Sequence, residues 1–341
     1  MPGGALVRLL AEDSAVSAPL RAARRPIDAW TSALAGFAAL RIAAPQIAAR
    51  LVAALLVAAL TAGAALAASA TAPIRVTDDS GATVELARPA QRVIALAPHL
   101  TELLFAAGAG ERLVGAIRYS DYPPAARAVP VIGDAFALDM ERIAQLKPDL
   151  VLVWQSGLGS RQREQLRARG LPVYESEVRR VEDIATTLQR LGVLLGTQPT
   201  ADRAAADVLQ RWAALQARYR GRPPVRVFYQ LWSQPLITIN GAHVISQAIT
   251  ACGGVNVFAV LPALTPTVSW EAAAQADPQL IASARVDDKT DRPPGRWAEL
   301  PRVDAVKHHR YALLPPDLLG RMGPRFVEGA QLLCEAIEGA R

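Results

Sequence analysis

"PTADRAAADVLQRWAALQARYRGRPP", residues 199–224, is the stretch on which the reading of the fold turns. Ala205, Val208, Leu209, Trp212, Leu215 and Tyr219 recur at helical spacing, with Pro199 ahead and Gly221, Pro223 and Pro224 behind. The spacing predicts one helix of about 20 residues, roughly 30 Å long at 1.5 Å per residue. On both sides of it the pattern changes to short apolar runs alternating with amphipathic segments. Upstream, "RVIALAP" (92–98) leads into "HLTELLFAAGAG", "RLVGAI" (112–117) into a loop, "DLVLVW" (149–154) into "GSRQREQLRARG", and "LPVY" into a helix over 180–195. Downstream the cycle restarts with "VRVFYQLW" (225–232), "PLITIN", a helix over 243–251, "SWEAAAQADP", "QLIAS", "RYALLP" and a last helix over 324–338. Such alternation argues for an α/β fold of two lobes with mostly parallel sheets joined by the single long helix. The expected boundaries are an N-terminal extension and signal sequence over 1–72, a first lobe over 73–198, the connecting helix over 199–223 and a second lobe over 224–341. Residues 74–88 alternate around D-S-G and predict a hairpin.

At 341 residues and 51% apolar content the chain has ample material for two cores. The formal charge of +6 is concentrated at the front, and without residues 1–72 it falls to +3. No basic cluster interleaved with aromatics remains, so nucleic acid is not an expected partner. The stretch "RLVAALLVAALTAGAALAASA" (50–70) pairs a positive residue with an apolar run and small residues, the pattern of a cleaved secretory signal, with cleavage at 65–67 or 68–70. An uncleaved membrane anchor is the alternative. The 50 residues ahead of it exceed an ordinary charged lead-in, so a start assigned too far upstream is expected. Export makes Cys252 and Cys334, the only cysteines, candidates for a disulfide, with two free buried thiols as the alternative.

In open α/β sheets a ligand lies beyond the carboxyl ends of the strands, and with two lobes the natural place is the cleft between them. The residues that follow the strands therefore form its walls. The first lobe offers His99, the loop "RYSDYPP" (118–124), Asp134 and Trp154; the second offers Trp232 and "PPDLLGR" (315–321). Three aromatics from separate strand ends, with Asp317 and Arg321, suit a large, flat, partly polar ligand. Catalytic patterns are poor. Gly108 and Gly110 follow a helix, not a strand, and no phosphate-loop, zinc or nucleophile-elbow pattern occurs. The four histidines lack metal-ligand spacing, so no metal site and no catalytic residue is expected.

The runs "RVIALAPHLTELLFAAGAGERLVGAIRYSDYPP", "DMERIAQLKPDLVLVW", "ACGGVNVF" and "GPRFVEGAQLLCEAI" resemble the periplasmic substrate-binding proteins of iron-chelate and cobalamin ABC importers, most closely the cobalamin-binding members. The resemblance covers roughly 74–341. It implies a non-enzymatic, monomeric carrier that holds cobalamin, as transported ligand and not as cofactor, between the lobes and delivers it to a membrane permease. By position, Tyr119 and Trp154 match ligand-contacting aromatics. Asp317 and Arg321 match the ends of a five-residue contact segment, within which Leu318, Leu319 and Gly320 replace two aromatics and a glutamate of the family pattern. Asp134 stands near another family aromatic. Trp232 is expected to supply part of the missing aromatic surface, an inference from its strand-end position. Glu141 and Glu271 match the pair, one per lobe, that docks on permease arginines, although both also lie where a helix dipole favours a carboxylate. The cysteines match the family's disulfide. A haem or ferric-siderophore carrier on the same fold is the alternative ligand class, and a chelatase-like enzyme the alternative from another class; Asp317, with Arg321 four residues on, reads as a salt-bridged carboxylate and a poor acid or base.

Overall fold

The computed structural model describes residues 49, 52–55, 72–285, 291–293 and 295–341. The signal-like run and its cleavage sites lie outside these residues, apart from a short helical piece at 52–55. Among the described residues no helix is long and apolar enough to cross a membrane.

The D-S-G turn joins β1 (Ile74–Thr77) to β2 (Thr83–Leu86) as an antiparallel hairpin. Asp78 closes it by accepting N–H groups from Ser80 and Ala82. The first lobe is a parallel sheet of β3 (Val93–Ala95), β4 (Leu113–Ala116), β5 (Leu150–Trp154) and β6 (Val173–Ser176), in the order β4-β3-β5-β6. Its helices are α1 (Pro98–Ala106), α2 (Met140–Leu146), α3 (Ser160–Ala168) and α4 (Val181–Leu195). Strands buried on both faces need no alternation, which is why β5 reads as the uninterrupted run Leu-Val-Leu-Val.

The connecting helix α5 spans Gln198–Tyr219. Ala205, Val208, Trp212, Leu215 and Tyr219 are buried along one stripe, as their three- and four-residue steps require. Leu209 is 38% exposed, because it lies one step, about 100°, round the helix from Val208. At the start of α5 the chain doubles back on α4. A Cβ on Gly192 would lie 2.6 Å from Cβ of Ala201, so a side chain there would push the two helices apart.

The second lobe contains β7 (Val225–Gln230), β8 (Trp232–Ser233), β9 (Leu236–Ile237), β10 (Gly254–Asn256), β11 (Leu280–Ala284) and β12 (Tyr311–Leu314). Four of these form a second parallel sheet, β10-β7-β11-β12. One expectation is corrected here. "PLITIN" is not a strand of this sheet; it supplies β9, which pairs antiparallel with β8. The edge position belongs instead to β10, whose three residues include a glycine and present no apolar run. The helices are α6 (Val244–Ala251), α7 (Trp270–Gln275), α8 (Asp304–Lys307), α9 (Pro316–Leu319) and α10 (Phe326–Gly339).

The described residues from 72 onward form one unit. One apolar cluster runs from Val93 and Leu152 in the first sheet, through Val208 and Trp212 of α5, to Leu280 and Phe326 in the second lobe. The strut is therefore part of a continuous core and not a free linker. Cys252 and Cys334, both fully buried, are disulfide-bonded and tie α6 to α10. Closing that 82-residue separation constrains the unfolded chain by about 4 kcal/mol in the chain-entropy account.

Candidate functional site

Residues at or just after the carboxyl ends of β5, β6, β7 and β12 line a cavity of about 290 Å³ at the junction of the lobes. Trp154, Ser156, Glu177 and Arg179 line it from the first lobe; Leu231, His243, Leu319, Gly320 and Met322 line it from the second. Trp154 ends β5, and its half-buried indole stands edge-on to His99 at 5.5 Å and 85°. A Cβ on Gly157 would fall 1.9 Å from the indole, so the ring occupies space that only glycine leaves open. The Trp154 Nε1 and the His99 Nε2 are both buried without a hydrogen-bond partner among the described residues. His99 is 3% exposed, in the first turn of α1. Burial, aided by the charge of Arg321, pushes its pKa down to about 3, so the ring is neutral at any physiological pH. Glu177 is held by the Ser156 N–H at 3.0 Å, the Ser156 hydroxyl at 3.2 Å and Arg179 at 3.3 Å.

Tyr119 does not line this cavity. It stands 71% exposed in the loop after β4, with φ +67, a left-handed conformation costly for an aromatic residue and held by the loop around it. Trp232 is 62% exposed beside Leu231, with its indole N–H donated to the Gln234 carbonyl at 3.0 Å. Of the segment 317–321, Leu319 and Gly320 reach the cavity, and Leu319 does so with only 2% of its surface free. Leu318 is half-buried beside them. Asp134 accepts the N–H groups of Phe136 and Ala137 and so closes its own loop.

The reading of Asp317 and Arg321 as an ion pair is corrected. The helix α9 ends at Leu319, so the four-residue spacing does not carry across Gly320, and the two side chains part. Asp317 accepts from Arg325 Nη1 at 2.8 Å. Arg321 instead crosses to the first lobe, donating to Asp121 at 2.7 Å and to Glu102 at 3.2 Å. Arg325 grips Glu102 in a fork, Nε to Oε2 at 2.9 Å and Nη2 to Oε1 at 2.7 Å, and lies 3.7 Å from the centre of the Tyr122 ring. The side chain of Glu102 is 2% exposed. A carboxylate so buried is tolerable only because two guanidinium groups satisfy it. Burial pulls the Asp121 carboxyl up, but the hydrogen bond and charge of Arg321 outweigh it and hold the group below its usual range. Hydrogen bonding to Glu102 raises Arg325 and keeps it cationic. This cluster joins the loop 118–124 to the segment 317–321 across the lobe junction. Glu102, Arg325 and Gly157 were not singled out from the sequence. Glu102 and Arg325 are 223 positions apart, and nothing local marks them as partners.

Glu141 and Glu271 are exposed in the first turns of α2 and α7, one in each lobe. Hydrogen bonding to its own backbone N–H and to Ser269 holds Glu271 below the ordinary carboxylate range, so it is charged at neutral pH. Among the described residues no cluster of three histidine, cysteine or acidic side chains is arranged to hold a metal ion.

The chain matches the family described as periplasmic binding protein over residues 93–318. It is 34% identical to the vitamin B12-binding protein of Vibrio cholerae over 254 residues, which span 74% of this chain and 91% of that one. The vitamin B12-binding protein of Photorhabdus laumondii is 35% identical over 246 residues, 72% of this chain and 87% of its own. Among solved structures, the periplasmic vitamin B12-binding protein of Vibrio cholerae superposes with a TM-score of 0.68 at 34% identity, covering 74% of this chain and 98% of that one. A periplasmic haem-binding protein of Roseiflexus sp. RS-1 shares the fold, with a TM-score of 0.63 at 24% identity over 73% of this chain and 98% of its own.

Proposed function

The chain belongs to the periplasmic binding protein family, and from that premise we propose that it captures cobalamin or a related corrinoid between its lobes and delivers it to the permease of an ABC importer. The observation that carries the reading is the cavity itself. An aromatic wall at Trp154 faces apolar Leu231, Leu319 and Met322 across the lobe junction, in a chain whose relatives, matched over about nine-tenths of their own length, are named for binding vitamin B12. A flat macrocycle with amide-bearing edges needs apolar faces to lie against and polar groups at its rim. The cavity is smaller than a whole corrinoid, so part of the ligand would project past the mouth, toward the exposed rings of Tyr119 and Trp232.

Within this reading Tyr119, Trp154, Trp232 and the segment 317–321 contact the ligand. Arg321 does so only from within its ion pairs with the first lobe. Glu141 and Glu271 set the docking register on the permease, the role exposed charges serve best at an interface. The protein is a carrier and not an enzyme, a monomer, and exported with residues of 1–72 removed as a signal; 73–198 and 224–341 are its lobes, joined through 199–223, a segment whose helical part ends at Tyr219.

Ligand-exchange spectroscopy tests the reading. The mature protein, mixed with cyanocobalamin and desalted, should retain the corrinoid spectrum in stoichiometric amount. Haemin added in the same way should be lost on desalting. Retention of haem with a shifted Soret band, and of no corrinoid, would favour the haem carrier, with Tyr119 the exposed residue placed to ligate iron.

A further inference from the structure

His243 carries the inference, and it comes from how the sequence starts α6. The residue is the N-cap of that helix, and its Nδ1 accepts the backbone N–H of Ile245 at 3.2 Å. An imidazole nitrogen that accepts a hydrogen bond bears no proton, so in the neutral ring the proton is on Nε2. The ring is neutral: burial, together with the Arg179 charge on the facing lobe, pushes its pKa down to about 4. His243 lines the cavity opposite Trp154, and its Nε2 has no hydrogen-bond partner among the described residues. The charged groups that share the cavity wall are Arg179 and Glu177, which are 3.3 Å apart and answer one another.

We propose that His243 Nε2–H is a ligand-recognition donor, which reads a hydrogen-bond acceptor oxygen on the rim of the bound corrinoid. This rests on the corrinoid reading above and deepens it. The capping bond does more than begin a helix: it locks the tautomer, so the cavity always meets the ligand with a donor at this point. The same lock excludes His243 as an axial ligand to cobalt or iron. Metal coordination through Nε2 would require the proton to move to Nδ1, where the Ile245 N–H already points. Two acceptors on a corrinoid have the right chemistry, the carbonyl oxygens of the ring's amide side chains and the phosphate of the nucleotide loop. Cobinamide has the first and lacks the second.

The test uses His243→Ser, with His243→Asn as a second variant. Both side chains can accept the Ile245 N–H and keep the cap, while neither extends a donor as far as Nε2. Melting temperatures within about 2 °C of the parent would show that the cap is intact. Calorimetric titration of the parent and variants with cyanocobalamin and with cobinamide then reads the donor. We expect affinity to fall by about three- to tenfold, the scale of one neutral hydrogen bond. A loss with both ligands assigns the acceptor to an amide carbonyl; a loss with cyanocobalamin alone assigns it to the phosphate. Affinities within twofold of the parent for both ligands would overturn the proposal and leave the corrinoid reading standing. A parent protein that binds neither ligand would overturn both.

Discussion

Acidification is expected to unload stability from this fold through His99 and His243, above the pH range in which free carboxylates titrate. Both rings are neutral in the fold, His99 buried and His243 half-buried, with folded-state pKa values lowered to about 3 and about 4. In the unfolded chain each returns to about 6.5. Below that value the unfolded state binds two protons that the folded state refuses, so stability falls as pH falls. The loss grows until pH passes the folded values, near 4 for His243 and near 3 for His99. At pH 5 each ring sits about 1.5 units below its unfolded pKa, a cost of about 2 kcal/mol per ring at 1.36 kcal/mol per unit. The pair should therefore lower stability by about 4 kcal/mol between pH 7 and pH 5, a large fraction of the 5–15 kcal/mol typical of a folded protein. Urea unfolding of the disulfide-bonded mature protein at pH 7, 6 and 5 measures it. His99→Gln should keep about half of the pH dependence, whatever its effect on stability at pH 7. Unfolding midpoints that coincide at pH 7 and 5, with unchanged slope, would refute the burial argument for both rings.

Three other outcomes follow from the geometry. Glu102→Gln leaves Arg321 and Arg325 without their buried counter-charge and should destabilise the protein by about 3 kcal/mol in urea unfolding; a change under 1 kcal/mol would mean that the interlobe cluster is not holding the lobes. Gly157→Ala puts a methyl group where the Trp154 indole lies, and should weaken cyanocobalamin binding at least tenfold while the far-UV spectrum stays the same; unaltered affinity would remove Trp154 from the binding surface. Reversing Glu141 and Glu271 together to arginine should abolish uptake in a transport assay without altering cyanocobalamin affinity, and a parallel loss of affinity would count against a docking role.

The two-lobe plan was legible because its signals are local. Apolar runs bounded by helices mark buried parallel strands, and the 3.6-residue stripe from Ala205 to Tyr219 marks the strut. What escaped the sequence depends on approach in space. β10 was missed because three residues around a glycine carry no hydrophobic run; its strand character comes from pairing with β7. The Asp317–Arg321 pair was misread because nearness in sequence was taken for contact; the helix stops at Leu319 and the two side chains turn to different partners. Glu102, which organises both arginines, looked like an ordinary helix residue in "HLTELL". His243 was placed as the first residue of a helix, one position from its true role as cap, and the cap bond decides which of its nitrogens accepts the Ile245 N–H. The aromatics at strand ends were readable as candidates; the sequence had no means of saying that Trp154 lines the cavity while Tyr119 and Trp232 do not.

The central claim is that the cleft selects a corrinoid. Isothermal titration of the mature protein with cyanocobalamin, cobinamide, haemin and a ferric hydroxamate tests it most directly. The account predicts one-to-one binding of cyanocobalamin, with no saturable heat from haemin or the ferric chelate. Saturable binding of haemin or the hydroxamate, and none of either corrinoid, would contradict it.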